Sequence, residues 1–445
     1  MAGTMTTQTS GARLLSGFDR LFGLEKHEYV AVGWSFIYFF CVLSSYYVLR
    51  PVRDEMAVFS GAETIPWLFM GTFVVMLLVT PVFGWVTSRF PRRVFLPWVY
   101  LFFICNILLF WVVFASRIDQ EQNYMWLGRI FFVWLSIFNL FIVSVFWSFM
   151  ADIYSREQGR RLFGVISAGG SIGALLGGLA TSYLVTSIGF QHLFPIAAAL
   201  LAAAVVCIHQ LRRWVSAERE ARGAVKSGEA LGGSPLAGIT HMLSSPYFMG
   251  IGFSSVVASL LGTALYMFTA DLLGQSDLSP NERTQFFSNI NNATNAIALV
   301  CQLFVVRRAV SRLGLGMALA LMPIISIIGF AVLALYPSLA AVAILTIVRR
   351  GTGFGLTKPT TDMLYSAVTL EEKYKTKNFI DTAIYRGGDL VGTWTVQGLI
   401  SGFGMGLAAV SWAMVPFAAA WSLVSIWLGR DYRRRARLGI GAPTA

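Results

Sequence analysis

RRWVSAEREARGAVKSGEALGGSPLAGITHMLSS, residues 212–245, is the stretch on which the fold turns. It is the one long polar segment in the interior of a chain that is otherwise 56% hydrophobic and 13% charged. Its glycine, serine and charge content reads as a linker with a surface helix. On either side, apolar runs follow one another at the length that crosses a hydrocarbon core, about 20 residues each. Six precede it, near 28–49, 65–87, 94–116, 126–150, 162–186 and 190–211. Six follow, near 247–272, 284–306, 315–336, 338–364, 378–400 and 405–428. The expected fold is an all-α polytopic membrane protein of twelve transmembrane helices in two six-helix halves.

Composition agrees. Soluble domains carry about 25% charged residues, and the mean hydropathy here is +0.66. The net charge of +12 does not point to nucleic acid, because most of the 34 lysines and arginines fall in short segments between apolar runs. Those segments are the N-terminal tail, Arg89–Arg93, Arg156–Arg161, the linker, Arg307–Arg312, Lys373–Lys377 and the C-terminal tail. Arg50, Arg53, Arg117 and Arg283 lie in the alternate loops. The bias predicts both termini inside. The organisation expected is a cytoplasmic tail at 1–27, a bundle at 28–211, the linker at 212–246, a second bundle at 247–428 and a basic cytoplasmic tail at 429–445. No apolar core marks a cleavable signal in the first 27 residues.

Charge inside hydrocarbon costs about 2.5–3.5 kcal/mol per residue and therefore faces partners or a water-filled path. It is concentrated in three places. Arg50, Arg53, Asp54 and Glu55 sit where the first helix leaves the bilayer, with Pro51 marking a bend. They read either as an ion-paired surface cap or as an outer gate and anion site, arginine being suited to bidentate contact with phosphate or carboxylate. Arg349 and Arg350 fall near the middle of the tenth span, and neighbours about 100° apart on a helix cannot both face one cavity. In the same span Lys358 can pair with Asp362 one turn on, as an inner gate, a packing lock or a substrate contact. In the eleventh span Arg386 and Asp389 share a face, whereas Asp381 needs another partner such as Lys377 or Arg350. Asp381 or Asp389 is a candidate proton carrier; the bland alternative is a static ion-pair network.

The eighth span carries Asn289, Asn291, Asn292 and Asn295, as helix–helix glue worth about 0.6 kcal/mol each or, at Asn292, as a reader of a polar substrate. Gly169, Gly173 and Gly177 recur at the spacing of close helix packing. Setting Gly169-Gly170 on Gly387-Gly388 aligns the fifth and eleventh spans as equivalents of an internal repeat. Cys41, Cys105, Cys207 and Cys301 lie far apart in apolar segments, and the four histidines lie near helix ends, so neither a disulfide framework nor a metal site is expected. There is no GxxxxGK[ST] phosphate loop or HExxH motif, and no enzyme, cofactor or nucleic-acid function is expected.

Three strings, SYYVLRPVRDEM (Ser45–Met56), FNLFIVSVFWSFMADIYSREQGRRLFGVISAGGSIGA (Phe138–Ala174) and KNFIDTAIYRGGDLVG (Lys377–Gly392), together resemble bacterial members of the ATP:ADP antiporter (nucleotide transporter) family, a branch of the major facilitator superfamily. GWVTSRFPRR and VRRAVSRLGLG resemble the basic loop motif of that superfamily, without its usual acid. The resemblance implies the major facilitator fold and a secondary active transporter that moves a polar or anionic molecule, a nucleotide or other phosphorylated compound, by alternating access. It sets Arg50, Arg53 and Asp54 against the family's first-helix arginine–acid motif, and Asp381 and Arg386 against its eleventh-helix pair. The expected site lies between the halves. Arg50, Arg53, Arg349, Arg350, Arg386 and Asn292 bind substrate; Asp54, Glu55, Lys358, Asp362, Asp381 and Asp389 gate it or carry protons. The partners expected are the substrate, a counter-substrate or proton, and membrane lipid, for a monomer in the bacterial inner membrane. Two alternatives are a proton-coupled carrier of another organic solute and a lipid-handling protein without nucleotide transport.

Overall fold

The computed structural model describes residues 25–89, 92–116, 121–222, 242, 245–368, 376–377 and 379–438. Most of the expected N-terminal tail and linker, and the last part of the C-terminal tail, lie outside the described residues. Among the described residues every regular element is helical. Before the linker come α1 (Tyr29–Phe59), α2 (Ile65–Arg89), α3 (Arg92–Ala115), α4 (Glu121–Ile153), α5 (Arg156–Ile188) and α6 (Leu193–Arg222). After it come α7 (Pro246–Gly274), α8 (Pro280–Val300), α9 (Val306–Leu313), α10 (Leu315–Leu335), α11 (Leu339–Thr352), α12 (Lys358–Leu364), α13 (Tyr385–Gln397) and α14 (Leu407–Arg437).

Ten of the described helical segments are long and apolar enough to cross a bilayer. The two expected spans that miss this measure are the segments built on α8 and α13, which carry the asparagines and the Arg386–Asp389 pair. Elsewhere the outside of the molecule is apolar: Leu78, Trp98, Leu109 and Leu423 are each more than 60% exposed, as hydrocarbon solvent requires and water would not.

Several boundaries differ from the sequence reading, α6 running on to Arg222 and α14 to Arg437, and two of the differences move candidate site residues. α1 does not end near residue 49 but runs helically through Pro51 to Phe59, so Arg53, Asp54 and Glu55 are helical rather than loop residues. The chain turns only at Gly61, whose φ of 88° a side chain would resist. α8 starts at Pro280, where Ser279 and Glu282 form a capping box, and this places Arg283 in a first helical turn.

The described residues pack as two compact units that do not coincide with the sequence halves. One holds α1 up to Pro51, α2 from Thr80, α3, α4 from Leu135, α5 and α6; the other holds Val52–Val79, α4 up to Trp134, and everything from α7 onward. In the first unit α5 lies on α1 with no room for side chains between them. A Cβ on Gly169, Gly173 or Gly177 would fall 2.4, 2.4 or 2.7 Å from the carbonyl oxygen of Phe36, Phe40 or Ser44 respectively. Cys41 and Cys207 are also neighbours here, thiol to thiol, although far apart in sequence.

The second unit repeats this packing with α13 on α7. A Cβ on Gly388 would meet the Val256 backbone at 3.1 Å, and one on Gly392 the Leu260 Cα at 2.7 Å. The glycines that touch backbone pair Gly169 and Gly173 with Gly388 and Gly392, one residue from the register suggested by the double glycines. The second unit also contains four π-helical turns among its described residues: Cys301–Val305, Gly353–Thr357, Ile380–Ile384 and Gly398–Gly402. Such turns insert one extra residue and are frequent at functional sites. The first two pack together where Gly355 leaves room for Cys301, and Gln302 Nε2 donates to the Phe354 carbonyl at 3.2 Å.

Candidate functional site

In the first unit, Arg50 closes the α1 segment. Its Nη1 donates to Tyr47 Oη at 3.4 Å, and its guanidinium lies 5.9 and 5.4 Å from the ring centres of Tyr46 and Tyr47. An arginine held by two aromatic faces keeps its charge. At the start of α1, Glu28 is almost fully buried. Gln158 Nε2 donates to it at 2.8 Å and Arg161 Nη2 at 3.1 Å. Burial alone would raise the Glu28 carboxyl; the Gln158 and Glu25 hydrogen bonds and the Arg161 charge outweigh it and hold the group below the usual glutamate range. Glu25, His27 and Glu28 come within 4.8 Å of one another, but these contacts already occupy Glu28.

In the second unit, α1 beyond Pro51 carries three of the expected residues into a closely packed region. Arg53 and Asp54 pair at 2.6 Å, Tyr266 Oη of α7 donates to Asp54 Oδ1 at 3.2 Å, and the Arg53 guanidinium lies 4.9 Å from the Phe132 ring centre. Glu55 is 1% exposed; Arg283 Nη1 stands 3.9 Å from it and donates through Nη2 to the Ser276 carbonyl. Phe69 packs on Phe132 and Tyr266, Trp67 on Trp394, and Val58 on Gly274. The ends of α1, α2 and α4 are thus fastened to α7, α8 and α13 by acid–base pairs and aromatic contacts. Tyr266 and Arg283 were not picked out from sequence. The capping box at Ser279–Glu282 was the available signal, since it places Arg283 on a helix rather than in a loop.

Deeper in this unit the two adjacent arginines diverge, as 100° of helical rotation requires. Arg349 is buried and donates to the Ala258 carbonyl of α7, where Gly262 leaves space for its guanidinium. Arg350 turns to α8 and donates to Asn291 Oδ1 at 3.1 Å. Asn292 is buried beside it in sequence, and Asn289 is exposed. Arg386 lies 3.5 Å from Asp389, which also accepts from Ser259 Oγ. A further network joins α12 to the segment before α13. Lys358 Nζ is 2.8 Å from Asp381 and 3.5 Å from Asp362, and Lys377 is 2.9 Å from Asp362. Asp381 therefore takes Lys358, not Lys377 or Arg350. Lys358 directly follows one π-turn and Asp381 sits in another, so neither has the face that an uninterrupted helix would assign.

Apolar helices with apolar exteriors, and interiors holding paired charge beside irregular turns, define a polytopic membrane protein. The chain belongs to the Major Facilitator Superfamily, whose model matches residues 35–392. It is similar to ADP,ATP carrier protein 1 of Chlamydia trachomatis, at 24% identity over 92% of this chain and 88% of that protein. The same carrier of Chlamydia muridarum is 23% identical over the same shares. Its fold matches the nucleoside transporter NupG (TM-score 0.57, 14% identity, 93% of this chain and 100% of the other). It also matches a bacterial homologue of the iron transporter ferroportin in its inward-facing state (TM-score 0.60, 13% identity, 91% and 99%). The family and these neighbours are transporters, not enzymes.

Proposed function

We propose that this protein is a secondary active transporter of the bacterial inner membrane that carries a phosphorylated or otherwise anionic small molecule, with a nucleotide as the foremost substrate class. In this reading it is a monomer, the segments built on α8 and α13 complete twelve spans, and both termini face the cytoplasm, in keeping with the basic inner segments. Within the second unit Arg53, Arg350 and Arg386, with Asn292, supply cations and an amide to the substrate, and Arg349 steadies α7; in the first unit Arg50 offers a further cation to an anion. Lys358, Asp362, Asp381 and Lys377 form an inner gate. Asp54 and Glu55 form an outer gate with Tyr266 and Arg283, and Glu55 and Asp389 are the acids best placed to exchange a proton.

The observation that carries the reading is the fastening of α1 to α7 and α8 through Asp54–Tyr266 and Glu55–Arg283. Acids and bases held against neighbouring helices suit a contact that opens and closes, because a permanent contact is made more stably by apolar packing. The nucleotide class is supported by the similarity to ADP,ATP carriers. Reconstitution in liposomes tests it, using labelled nucleotides and organic anions with and without a proton gradient or internal counter-substrate. Uptake of a nucleotide, lost in Arg386→Ala while the variant remains folded in detergent, is expected. Unchanged transport by that variant removes Arg386 from the site.

A further inference from the structure

We propose that the end of the molecule where α9, α10 and α14 meet is a binding site for the phosphate headgroup of an anionic phospholipid. The backbones of α10 and α14 touch at Gly316 and Gly429, where a Cβ on Gly316 would lie 3.2 Å from the Gly429 Cα. Beyond this crossing both helices become basic at the same end. Arg307, Arg308 and Arg312 lead into α10 through α9, and Arg430, Arg433, Arg434 and Arg437 continue α14. All seven are exposed. The acid on this part of α14, Asp431, is taken by Arg435 at 2.7 Å, and the Arg435 guanidinium in turn lies 4.4 Å from the Tyr247 ring centre. The seven outward guanidinium groups therefore meet no compensation from Asp431.

Two features point to lipid rather than to charge placed only for topology. Every basic residue here is arginine, whose planar fork grips a phosphate through paired hydrogen bonds where lysine offers a point charge. Topology requires only positive charge and is indifferent to that choice. The basic patch also continues directly into an apolar one. Leu423 (69% exposed) and Trp427 (40%) share one α14 face with Arg430, Arg434 and Arg437, at intervals of three and four residues. Leu313 and Met317, either side of the Gly316 crossing in sequence, are exposed too. An acyl chain along Leu423, Trp427 and Met317 would bring its phosphate to Arg430 and Arg312. Free phosphate would have no use for the apolar half. Basic pockets between transmembrane helices are the known setting for anionic headgroups.

The test is a fluorescence measurement on the whole protein in mixed vesicles, taking the Trp427 signal as wild type minus Trp427→Phe. Brominated phosphatidylglycerol and brominated phosphatidylcholine are compared at equal mole fraction. Trp427 should be quenched preferentially by the anionic lipid, and the preference should shrink as salt is raised. Replacing Arg430, Arg433 and Arg434 with Gln should remove it, by about fivefold in lipid partition per arginine. The three corresponding Lys variants keep the charge for insertion and should retain only part of it. Equal quenching by the two lipids in the wild type overturns the site, as does an undiminished preference in the Gln variant. Loss of the preference on adding millimolar inorganic phosphate at constant ionic strength would make it a soluble-anion site and overturn the lipid assignment.

Discussion

Two glycines of α5 should respond to the same substitution with opposite sign. A Cβ on Gly164 would meet nothing within 4 Å, and Gly164 is exposed. Gly164→Ala only restricts the unfolded chain and improves helix propensity, which stabilises by about 0.5–1 kcal/mol. At Gly173 the added carbon would sit 2.4 Å from the Phe40 carbonyl oxygen, 2.9 Å from its Cα and 3.0 Å from its carbonyl carbon. All three are backbone atoms of α1 and cannot rotate aside, so α5 must move off α1. Overpacking of this kind costs about 1–3 kcal/mol. Subtracting the propensity gain leaves Gly173→Ala destabilised by roughly 0.5–2 kcal/mol, and the two variants separated by roughly 1–3 kcal/mol. Unfolding in dodecyl-maltoside titrated with sodium dodecyl sulfate, followed by tryptophan fluorescence, resolves such a gap. Gly173→Ala matching or exceeding Gly164→Ala in stability would refute the close approach of α5 to α1.

Removing Arg283 leaves Glu55, 1% exposed, without the cation 3.9 Å away. Arg283→Leu should destabilise by about 3–5 kcal/mol, and Glu55→Gln in the same chain should recover most of that in the same titration; no recovery would show that Arg283 acts through other contacts. Glu28 predicts an acid dependence. Because its folded-state carboxyl is held below the ordinary value of 4.5, its contribution is complete above that pH and is lost as pH falls through the lowered value. Melting in detergent between neutral pH and pH 3 should show a smaller acid loss in Glu28→Gln than in wild type, and parallel curves would contradict the assignment.

What could be read from sequence depended on whether a contact follows helical periodicity. Glycines four apart on α5 announce a flat face, and α1 lies against it. Arg349 and Arg350 announce two directions, and they turn to α7 and α8. The pairing of Lys358 with Asp381 was not legible, because π-turns at Gly353–Thr357 and Ile380–Ile384 break the phase that assigns faces. Tyr266 and Arg283 are hidden for another reason: their partners Asp54 and Glu55 lie more than two hundred residues away, and the capping box that puts Arg283 on α8 says nothing of what it pairs with. The length of the apolar run and the charges from Arg50 onward place the end of α1 near residue 49, yet the helix continues through the expected bend at Pro51 to Phe59. A proline forfeits one hydrogen bond, and neighbouring helices and local adjustment of the turn can re-satisfy the freed carbonyl without ending the helix.

The central claim is that the contact of α1 with α7 must open for substrate to move. Val58 and Gly274 touch across it, with a Gly274 Cβ falling 3.9 Å from Val58 Cγ1. In a chain whose Cys41, Cys105, Cys207 and Cys301 are replaced, Val58→Cys and Gly274→Cys can be joined by an oxidant in proteoliposomes. Uptake should cease on cross-linking and return on reduction. Full uptake through the cross-linked protein would contradict the account.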